Sequence, residues 1–251
     1  MAKRKPVLVD GQELSAGVFI VDKPVGCTSF AVVKKIRWLL GIKKVGHAGT
    51  LDPFASGVLV VCAGRPATRH IDSFMMGKKT YQARLQLGVE TETLDTEGAV
   101  TARRPVPELH QEKIVEVLQE FSGPQMQVPP AYSAAKHKGK PLYHYARQGI
   151  MITKEAKPIE IYSLDVNGYD AANAQLDITV SCSRGTYIRV LAADIGNRFG
   201  CGAHLVGLRR SRSGCFSVDE AISGEHLLTE DEPLESLLAG MISVEQALGK
   251  C

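Results

Sequence analysis

A single carboxylate in a glycine-rich segment is the first candidate for chemistry in this sequence. Asp52 is followed by Pro53, and His47, Thr50 and Ser56 lie close by, among three glycines. Glycine permits backbone conformations that other residues avoid, and proline restricts the residue before it to an extended conformation. The pattern therefore predicts a stiff loop that presents a carboxylate beside an imidazole and two hydroxyls. An ordinary Asp-Pro turn with a purely structural role fits the same residues.

The elements around this loop would have to hold it in place. The apolar run 58–63 predicts a buried strand directly after the loop, and residues 18–22 predict another strand before it. Apolar residues recur at helical spacing over 32–40, after a good N-cap at Thr28 or Ser29. The sequence thus predicts a strand, an amphipathic helix, the loop and a second strand in succession.

Residues 46–53 and 55–59 resemble the signature of the TruB family, the tRNA pseudouridine-55 synthases. That family usually has threonine where this chain has Ala48. The equivalent aspartate of the family is the catalytic nucleophile, so the resemblance implies that role for Asp52.

The resemblance also implies roles for the neighbours of Asp52. Gly49 and Thr50 would contact the substrate. His47 would fill the space that a flipped uridine leaves in the RNA, and a loop histidine bonded to the backbone is the structural alternative.

Two more segments resemble the same family. Tyr81 lies in the alternating stretch 78–88, which predicts a half-buried strand; in the family this tyrosine packs beside the uracil and is the candidate base. The motif 184–189, Arg-Gly-Thr-Tyr-Ile-Arg, ends in the arginine that pairs with the catalytic aspartate in the family, here Arg189. Tyr187 of this motif would contact the substrate.

Two further positions follow from the same resemblance. The segment 200–210 is a third match, in which Leu208 would pack near the uracil. Asp95 matches the aspartate of a Thr-x-Asp-x-x-Gly element, which lies near the active-site arginine, so a supporting role is expected for it.

Basic and aromatic residues interleave over 127–149, a pattern typical of a nucleic-acid groove. A basic loop followed by a helix with core tyrosines is the alternative. The resemblance implies that Lys136, Lys140 and Arg147 contact RNA.

The charges form clusters although the net charge is only +3. Separate basic groups at 3–5, 136–140 and 209–212 fit a phosphate-binding surface better than three solvated faces.

The six cysteines lack Cys-x-x-Cys spacing, which argues against a zinc site and predicts reduced, buried thiols. No signal peptide is evident, and no apolar run approaches the length of a membrane span. We therefore expect a soluble, cytoplasmic protein.

The resemblance implies an α+β fold with a mixed, mainly antiparallel central sheet flanked by helices. One catalytic domain over 1–251 is expected, with an exposed leader at 1–16. A further amphipathic helix is predicted over 105–121, and paired strands over 159–166 and 176–182. Typical bacterial members carry a C-terminal RNA-binding module of the PUA type, and no segment here matches one.

The implied reaction is isomerisation of uridine to pseudouridine in the T-arm of tRNA, without cofactor or metal. The protein would act as a monomer, with tRNA as its partner and no obligate protein partner. An ion pair with Arg189 would keep Asp52 ionised, since a buried carboxylate alone tends to hold its proton. Two other functions fit less well. A tRNA-folding factor would not need Asp52, Tyr81 and Arg189 together, and a glycoside hydrolase needs a second carboxylate as proton donor.

Overall fold

The computed structural model of the chain describes residues 7–9, 11–230 and 233–251. The fold is α+β, with a large mixed sheet and flanking helices, as predicted. The strands are β1 (Leu8–Val9), β2 (Gln12–Glu13), β3 (Gly17–Lys23), β4 (Val45–His47), β5 (Ser56–Ala63), β6 (Lys79–Leu87), β7 (Val89–Thr91), β8 (Val100–Arg103), β9 (Gly123–Gln127), β10 (Lys136–His137), β11 (Lys140–Pro141), β12 (Lys157–Asp170), β13 (Gln175–Cys182), β14 (Ala203–Ser213), β15 (Phe216–Ser217), β16 (Ile222–Ser223) and β17 (Met241–Ile242).

The helices are mostly short, and a 3-10 turn lies at Val218–Glu220. The α-helices are α1 (Ser29–Leu40), α2 (Arg65–Thr68), α3 (Ile71–Phe74), α4 (Gln111–Gln119), α5 (Leu142–Ala146), α6 (Ile188–Arg198), α7 (Gly224–Thr229), α8 (Leu234–Ala239) and α9 (Val244–Lys250). Over the described ranges, no helix is long and apolar enough to cross a membrane.

The chain divides into two compact units, and unit 1 comprises Met1–Lys79 and Arg209–Cys251. Its central strands β3 and β5 are antiparallel, with Gly17 opposite Ala63 and Lys23 opposite Gly57. β4 pairs antiparallel with β5, and the end of β14 pairs parallel with the start of β5. β16 and β17 pair with β3, parallel and antiparallel respectively.

Both faces of β3 and β5 are buried, which explains why these strands are continuously apolar. Phe19 and Val61 pack with the buried face of α1, whereas Val18 and Val60 pack with Phe74 on the other face. The sheet of unit 1 is therefore a rigid support for the loop between β4 and β5.

Unit 2 comprises Thr80–Leu208. Its strands follow the hydrogen-bonded order β14, β6, β13, β12 and β9. β12 and β13 form a long antiparallel pair, and β9 adds to the other edge of β12 in antiparallel orientation. β7 and β8 form a separate hairpin.

Most predicted elements are present. Helix α1 begins and ends as its pattern indicates, with Val32, Ile36 and Leu39 buried. β6 alternates between buried and exposed residues, as predicted. The helix predicted over 105–121 is shorter, since α4 begins only at Gln111.

The predicted leader is only partly exposed. β1 and β2 form a small antiparallel hairpin, and Leu14 packs against the buried cluster around α1. Residues 1–6 lie outside the described ranges. The expectation of one catalytic domain stays a prediction.

The prediction of reduced thiols holds for four cysteines and is wrong for two. Cys62, Cys182 and Cys201 are buried thiols that are not disulfide-bonded, and burial raises the pKa of Cys62 to about 12. Cys27 is a half-buried free thiol. Cys215 and Cys251 form a disulfide. Their separation of 36 residues carries no local signal, because only the fold of α9 brings the chain end back to the turn after β14.

Candidate active site

Asp52 lies on the loop between β4 and β5 in unit 1, here called the Asp52 loop (residues 48–57). Its side chain is half-buried, and the loop begins where Ala48 N donates to Val60 O at 2.8 Å. Ala55 N donates to Asp52 O at 3.1 Å and forms a turn directly after the aspartate. Gly57 ends the loop with φ at +106°, a conformation that side chains disfavour.

Ser29 ties α1 to the residue before the aspartate. Its buried Oγ donates to Leu51 O at 2.9 Å and accepts from Leu51 N at 2.9 Å. Thr28 is the N-cap, with Oγ1 accepting from Ala31 N at 3.1 Å. The two predicted N-cap candidates therefore have separate tasks, and Ser29 satisfies both backbone groups of Leu51.

Lys23 holds the chain directly after the aspartate. Its fully buried Nζ donates to Cys27 O at 2.7 Å, Pro24 O at 2.8 Å and Pro53 O at 3.3 Å. Gly26 N also donates to Pro53 O, at 2.9 Å. The carbonyl of Pro53 thus receives two hydrogen bonds, which fixes the peptide between Pro53 and Phe54, one residue beyond Asp52.

Arg210 holds the Asp52 loop through other carbonyls. Its guanidinium donates to Val58 O at 2.8 Å, Gly49 O at 3.1 Å and Thr50 O at 3.4 Å. The side chain is only 2% exposed. One planar group therefore bonds to the backbone both before and after Asp52.

His47 ends β4 with an unpaired buried ring nitrogen. Nδ1 is inaccessible and has no hydrogen-bond partner among the described atoms. Burial lowers the pKa of this histidine, and the nearby charge of Arg210 lowers it further. The imidazole is therefore neutral at physiological pH.

The predicted phosphate cluster at 209–212 is wrong for Arg210, which is buried, and for Arg209 it stays a prediction. Arg209 forms a bidentate ion pair with Asp22, at 2.7 and 3.0 Å, and Arg210 is buried. Arg212 is exposed. Arg209 and Arg210 are in the part of β14 that pairs with β5, so their side chains form contacts within unit 1.

Arg189 lies at the start of α6 in unit 2 and is only 3% exposed. Nη1 donates to Thr93 O at 2.6 Å, and Nη2 donates to Tyr132 O at 2.8 Å. Nε lies 3.5 Å from a carboxylate oxygen of Asp95. These contacts fix the plane of the guanidinium.

Asp95 is itself held by its own loop. Its carboxylate accepts from Thr93 Oγ1 and from Glu97 N, the latter at 2.9 Å. Asp95 thus lies where a supporting role requires, although the role stays a prediction. Sequence reasoning missed Thr93 and Tyr132 because they act through backbone carbonyls, which carry no residue-type signal.

Tyr81 and Leu208 lie on strands of unit 2. Tyr81 is 8% exposed on β6, and Leu208 is half-buried on β14. Tyr187 precedes α6, where its backbone N and O bond to the side-chain amide of Gln127 at 2.8 and 3.1 Å. Gln127, which sequence reasoning also missed, therefore anchors the Arg-Gly-Thr-Tyr-Ile-Arg motif.

The predicted RNA contacts form an exposed basic and aromatic segment. Lys136 and Lys140 lie on the β10–β11 hairpin, and both are exposed. Arg147 is exposed after α5, with its guanidinium 5.5 Å from the ring centre of Tyr143, which is also exposed. Cations and an accessible ring are thus available for phosphates and bases.

Each unit brings together its own part of the predicted site. Unit 1 holds His47, Gly49 and Thr50 around Arg210, and Asp52 lies on the same loop. Unit 2 holds Arg189 with Asp95, and carries the other predicted residues. The pairing of Asp52 with Arg189 stays a prediction.

Two family descriptions match the chain. Residues 37–188 match "TruB family pseudouridylate synthase (N terminal domain)". Residues 189–248 match "tRNA pseudouridylate synthase B C-terminal domain".

Curated relatives match over most of their length. A protein of Desulfotalea psychrophila named tRNA pseudouridine synthase B is 54% identical over 245 residues, covering 96% of this chain and 99% of the relative. One of the same name from Bordetella avium is 44% identical over 241 residues, covering 95% of each.

A solved structure supports the fold. A chain in the crystal structure of a Cbf5–Nop10–Gar1 complex superposes with a TM-score of 0.69 at 30% identity. The match covers 93% of this chain but only 62% of that one.

Proposed function

Because the chain belongs to the TruB family of pseudouridylate synthases, we propose that it isomerises uridine to pseudouridine in the T-arm loop of tRNA, at position 55. The observation that carries this proposal is the Asp52 loop, a half-buried carboxylate on a backbone held by Ser29, Lys23 and Arg210. The names of the curated relatives support tRNA as the substrate.

The proposed reaction conserves every atom of the nucleoside. The N-glycosidic bond breaks, the uracil turns, and a ring carbon bonds to the ribose. The proton that leaves this carbon is balanced by one taken up at the freed ring nitrogen. Asp52 attacks the sugar carbon as the nucleophile, or it acts as the base that takes the ribose 2′ proton when a glycal intermediate forms and returns it when the uracil rejoins. Fixing the peptides on both sides of Asp52 favours this chemistry. The entropy of orienting the carboxylate is then lost when the protein folds and no longer has to be lost in the transition state.

Arg189 and Tyr81 complete the proposed catalytic set. Arg189 supplies a guanidinium of fixed orientation, held by Thr93, Tyr132 and Asp95. A guanidinium of fixed orientation favours the ionised form of a carboxylate and defines its geometry. We assign this role to Arg189, with the carboxylate of Asp52 as its partner. Tyr81 stacks on the uracil and exchanges a proton with the reacting nucleoside.

The RNA must present its uridine outside the base stack, at a cost of roughly a few kcal/mol. The neutral imidazole of His47 can enter the space that the uridine leaves, since no charge has to be desolvated there. Lys136, Lys140 and Arg147 contact the phosphates.

The test is incubation of the protein with an unmodified tRNA transcript, followed by mapping of pseudouridine along the RNA. We expect modification at the T-arm uridine alone, and none in a transcript with cytidine there. Asp52→Asn should lower the rate by about 1,000-fold or more, with tRNA binding retained. Asp72→Asn, an exposed aspartate on α3, is the matched control.

Three outcomes would contradict the proposal. Binding without modification would indicate a tRNA-folding factor. Modification at another site would overturn the T-arm target. Appreciable turnover by Asp52→Asn would remove Asp52 from the role of nucleophile.

A further inference from the structure

Arg210 is a buried cation with no carboxylate partner within the described part of unit 1. All of its hydrogen bonds go to backbone carbonyls, those of Gly49, Thr50 and Val58. Its neighbour Arg209 differs in both respects, since it is partly exposed and pairs with Asp22. Burying an unpaired charge is costly, so the site of Arg210 calls for a functional explanation.

The chemistry of the guanidinium explains why arginine suits this position. It has five N–H donors in one plane, so a single side chain can bond to several carbonyls that point toward a common centre. Gly49 and Thr50 precede Asp52, and Val58 follows the end of the loop. The two arms of the loop are thus joined through one rigid group.

Two glycines let the Asp52 loop approach Arg210 and its strand β14 closely. A Cβ on Gly57 would lie 2.2 Å from Arg210 O, a distance no real Cβ shows. A Cβ on Gly49 would lie 3.6 Å from Nη1 of the guanidinium, and Gly49 has φ at +93°. Glycine is therefore required at Gly57 by the close approach of the two backbones, and at Gly49 by the positive φ, because a contact at 3.6 Å is ordinary.

We propose that Arg210 is a positioning residue, which sets the backbone on both sides of Asp52 and thereby the placement of its carboxylate. The inference rests on the proposed function of Asp52 as nucleophile. A role as phosphate contact is excluded by burial, because the guanidinium is enclosed by the loop it bonds. A misplacement of about 1 Å at a reacting group lowers a rate by roughly 100-fold.

The kinetic test compares Arg210→Met, Arg210→Lys and the control Arg198→Met. Arg198 is an exposed arginine with a bidentate ion pair to Glu120, so its loss removes the same side chain without touching the loop. Single-turnover rates are measured with saturating enzyme, at a temperature where circular dichroism shows each variant folded. tRNA dissociation constants are measured in parallel.

We expect Arg210→Met to lower the single-turnover rate by roughly 100-fold. Arg210→Lys keeps the charge but not the fork, so its rate should be intermediate, and it serves as the test if the Met variant does not fold. Dissociation constants should stay within about threefold of the parent protein. Arg198→Met should match the parent in both.

Amide hydrogen exchange over 48–57 supplies a readout that does not depend on activity. Exchange in this segment should be faster in the Arg210 variants than in Arg198→Met. Unchanged exchange and a rate within about threefold of the parent would overturn the proposal. Equal losses in tRNA binding and in rate would also overturn the proposal, since they would indicate an RNA contact. A loss of activity in proportion to the unfolded fraction of each variant would overturn it as well.

Asp52→Asn separates this inference from the proposed function. If Asp52→Asn retains turnover, the nucleophile assignment fails, whatever the Arg210 variants do. If Asp52→Asn is inactive and the Arg210 variants are unaffected in rate and exchange, only the positioning role fails.

Discussion

At the scale of single residues, buried polar side chains hold the candidate site, and they do so through backbone carbonyls. Lys23 and Arg210 in unit 1, and Arg189 in unit 2, are each less than 4% exposed. Each donates to peptide oxygens of a loop, which satisfies acceptors that would otherwise be buried without partners. The loops that carry the candidate residues are therefore held in place without being helix or strand.

Tyr81→Phe tests whether the tyrosine acts as an acid–base group. The substitution keeps the ring and removes the hydroxyl, so we expect turnover to fall by at least about 100-fold, while tRNA still binds. The measurement is the single-turnover rate beside the dissociation constant. Tyr162→Phe, on an exposed tyrosine of β12, is the control. A near-normal rate for Tyr81→Phe would leave the residue a packing role only.

His47 predicts a specific dependence of stability on pH. Its pKa in the folded protein lies below the ordinary value, because of burial and then the charge of Arg210. The unfolded chain therefore binds more protons between the folded and unfolded pKa values, and stability falls as the pH drops through this window. As the pH is lowered from neutral to mildly acidic, we expect the unfolding free energy of His47→Gln to fall less than that of the parent protein.

The measurement is urea unfolding of both proteins across that pH range, with His110→Gln as control, since His110 is exposed. Parallel curves for parent and His47→Gln would mean that His47 does not titrate differently on folding.

At the scale of elements, the strand β5 anchors the site because it is paired on both edges and buried on both faces. β3 pairs antiparallel with residues 57–63, β4 pairs antiparallel with residues 61–63, and β14 pairs parallel with the first two residues. The contact with β14 is possible only because Gly57 has no side chain. The loop therefore depends on one close backbone approach at its end.

Gly57→Ala should destabilise unit 1 and slow the reaction. The new Cβ would clash with the backbone of Arg210, and the alanine would have to keep the positive φ of Gly57. We therefore expect a loss of about 1–3 kcal/mol in unfolding free energy. Gly168→Ala is the control, since Gly168 lies in β12 with open space at its Cβ position. It should change stability by no more than about 0.5 kcal/mol. Equal effects of both changes, measured by urea unfolding, would contradict the importance of this approach.

At the scale of the whole molecule, the two predicted basic groups that the structure describes, 136–140 and 209–212, expose fewer cations than the sequence indicates, and the group at 3–5 lies outside the described residues. Lys136, Lys140, Arg147 and Arg212 are exposed, whereas Arg209 is paired and Arg210 is buried. With few phosphate contacts, the RNA surface should be small. An isolated T-arm stem-loop should then bind about as well as whole tRNA.

Salt dependence tests this expectation. Log affinity falls linearly with log salt, and each phosphate contact makes this slope steeper by about 0.9. We expect similar slopes and similar kcat/KM for the stem-loop and whole tRNA. Lys140→Gln should lower both slopes by about one.

The control is Lys113→Gln, because Lys113 is exposed on α4 and pairs with Glu116. A much steeper slope and a large kcat/KM advantage for whole tRNA would show that another surface carries most of the affinity. A Lys140→Gln slope equal to the parent value would remove Lys140 from the contacts.

The sequence alone determined the local parts of this protein. The pattern around Asp52, the N-cap and apolar face of α1, and the alternation in β6 are set by short-range backbone and burial preferences. The motifs that resemble the TruB family are contiguous as well, so they could be found without a structure.

Only the tertiary structure decided how the charged side chains are used. Arg209 and Arg210 are adjacent in one basic run, yet one pairs with Asp22 and the other is enclosed by the Asp52 loop. Adjacent residues of a strand point to opposite faces, and what meets each face comes from distant parts of the chain. The same holds for the carbonyls that fix Arg189 and for the disulfide between Cys215 and Cys251. Burial and partners at these positions depend on long-range packing, which residue types and spacing do not encode.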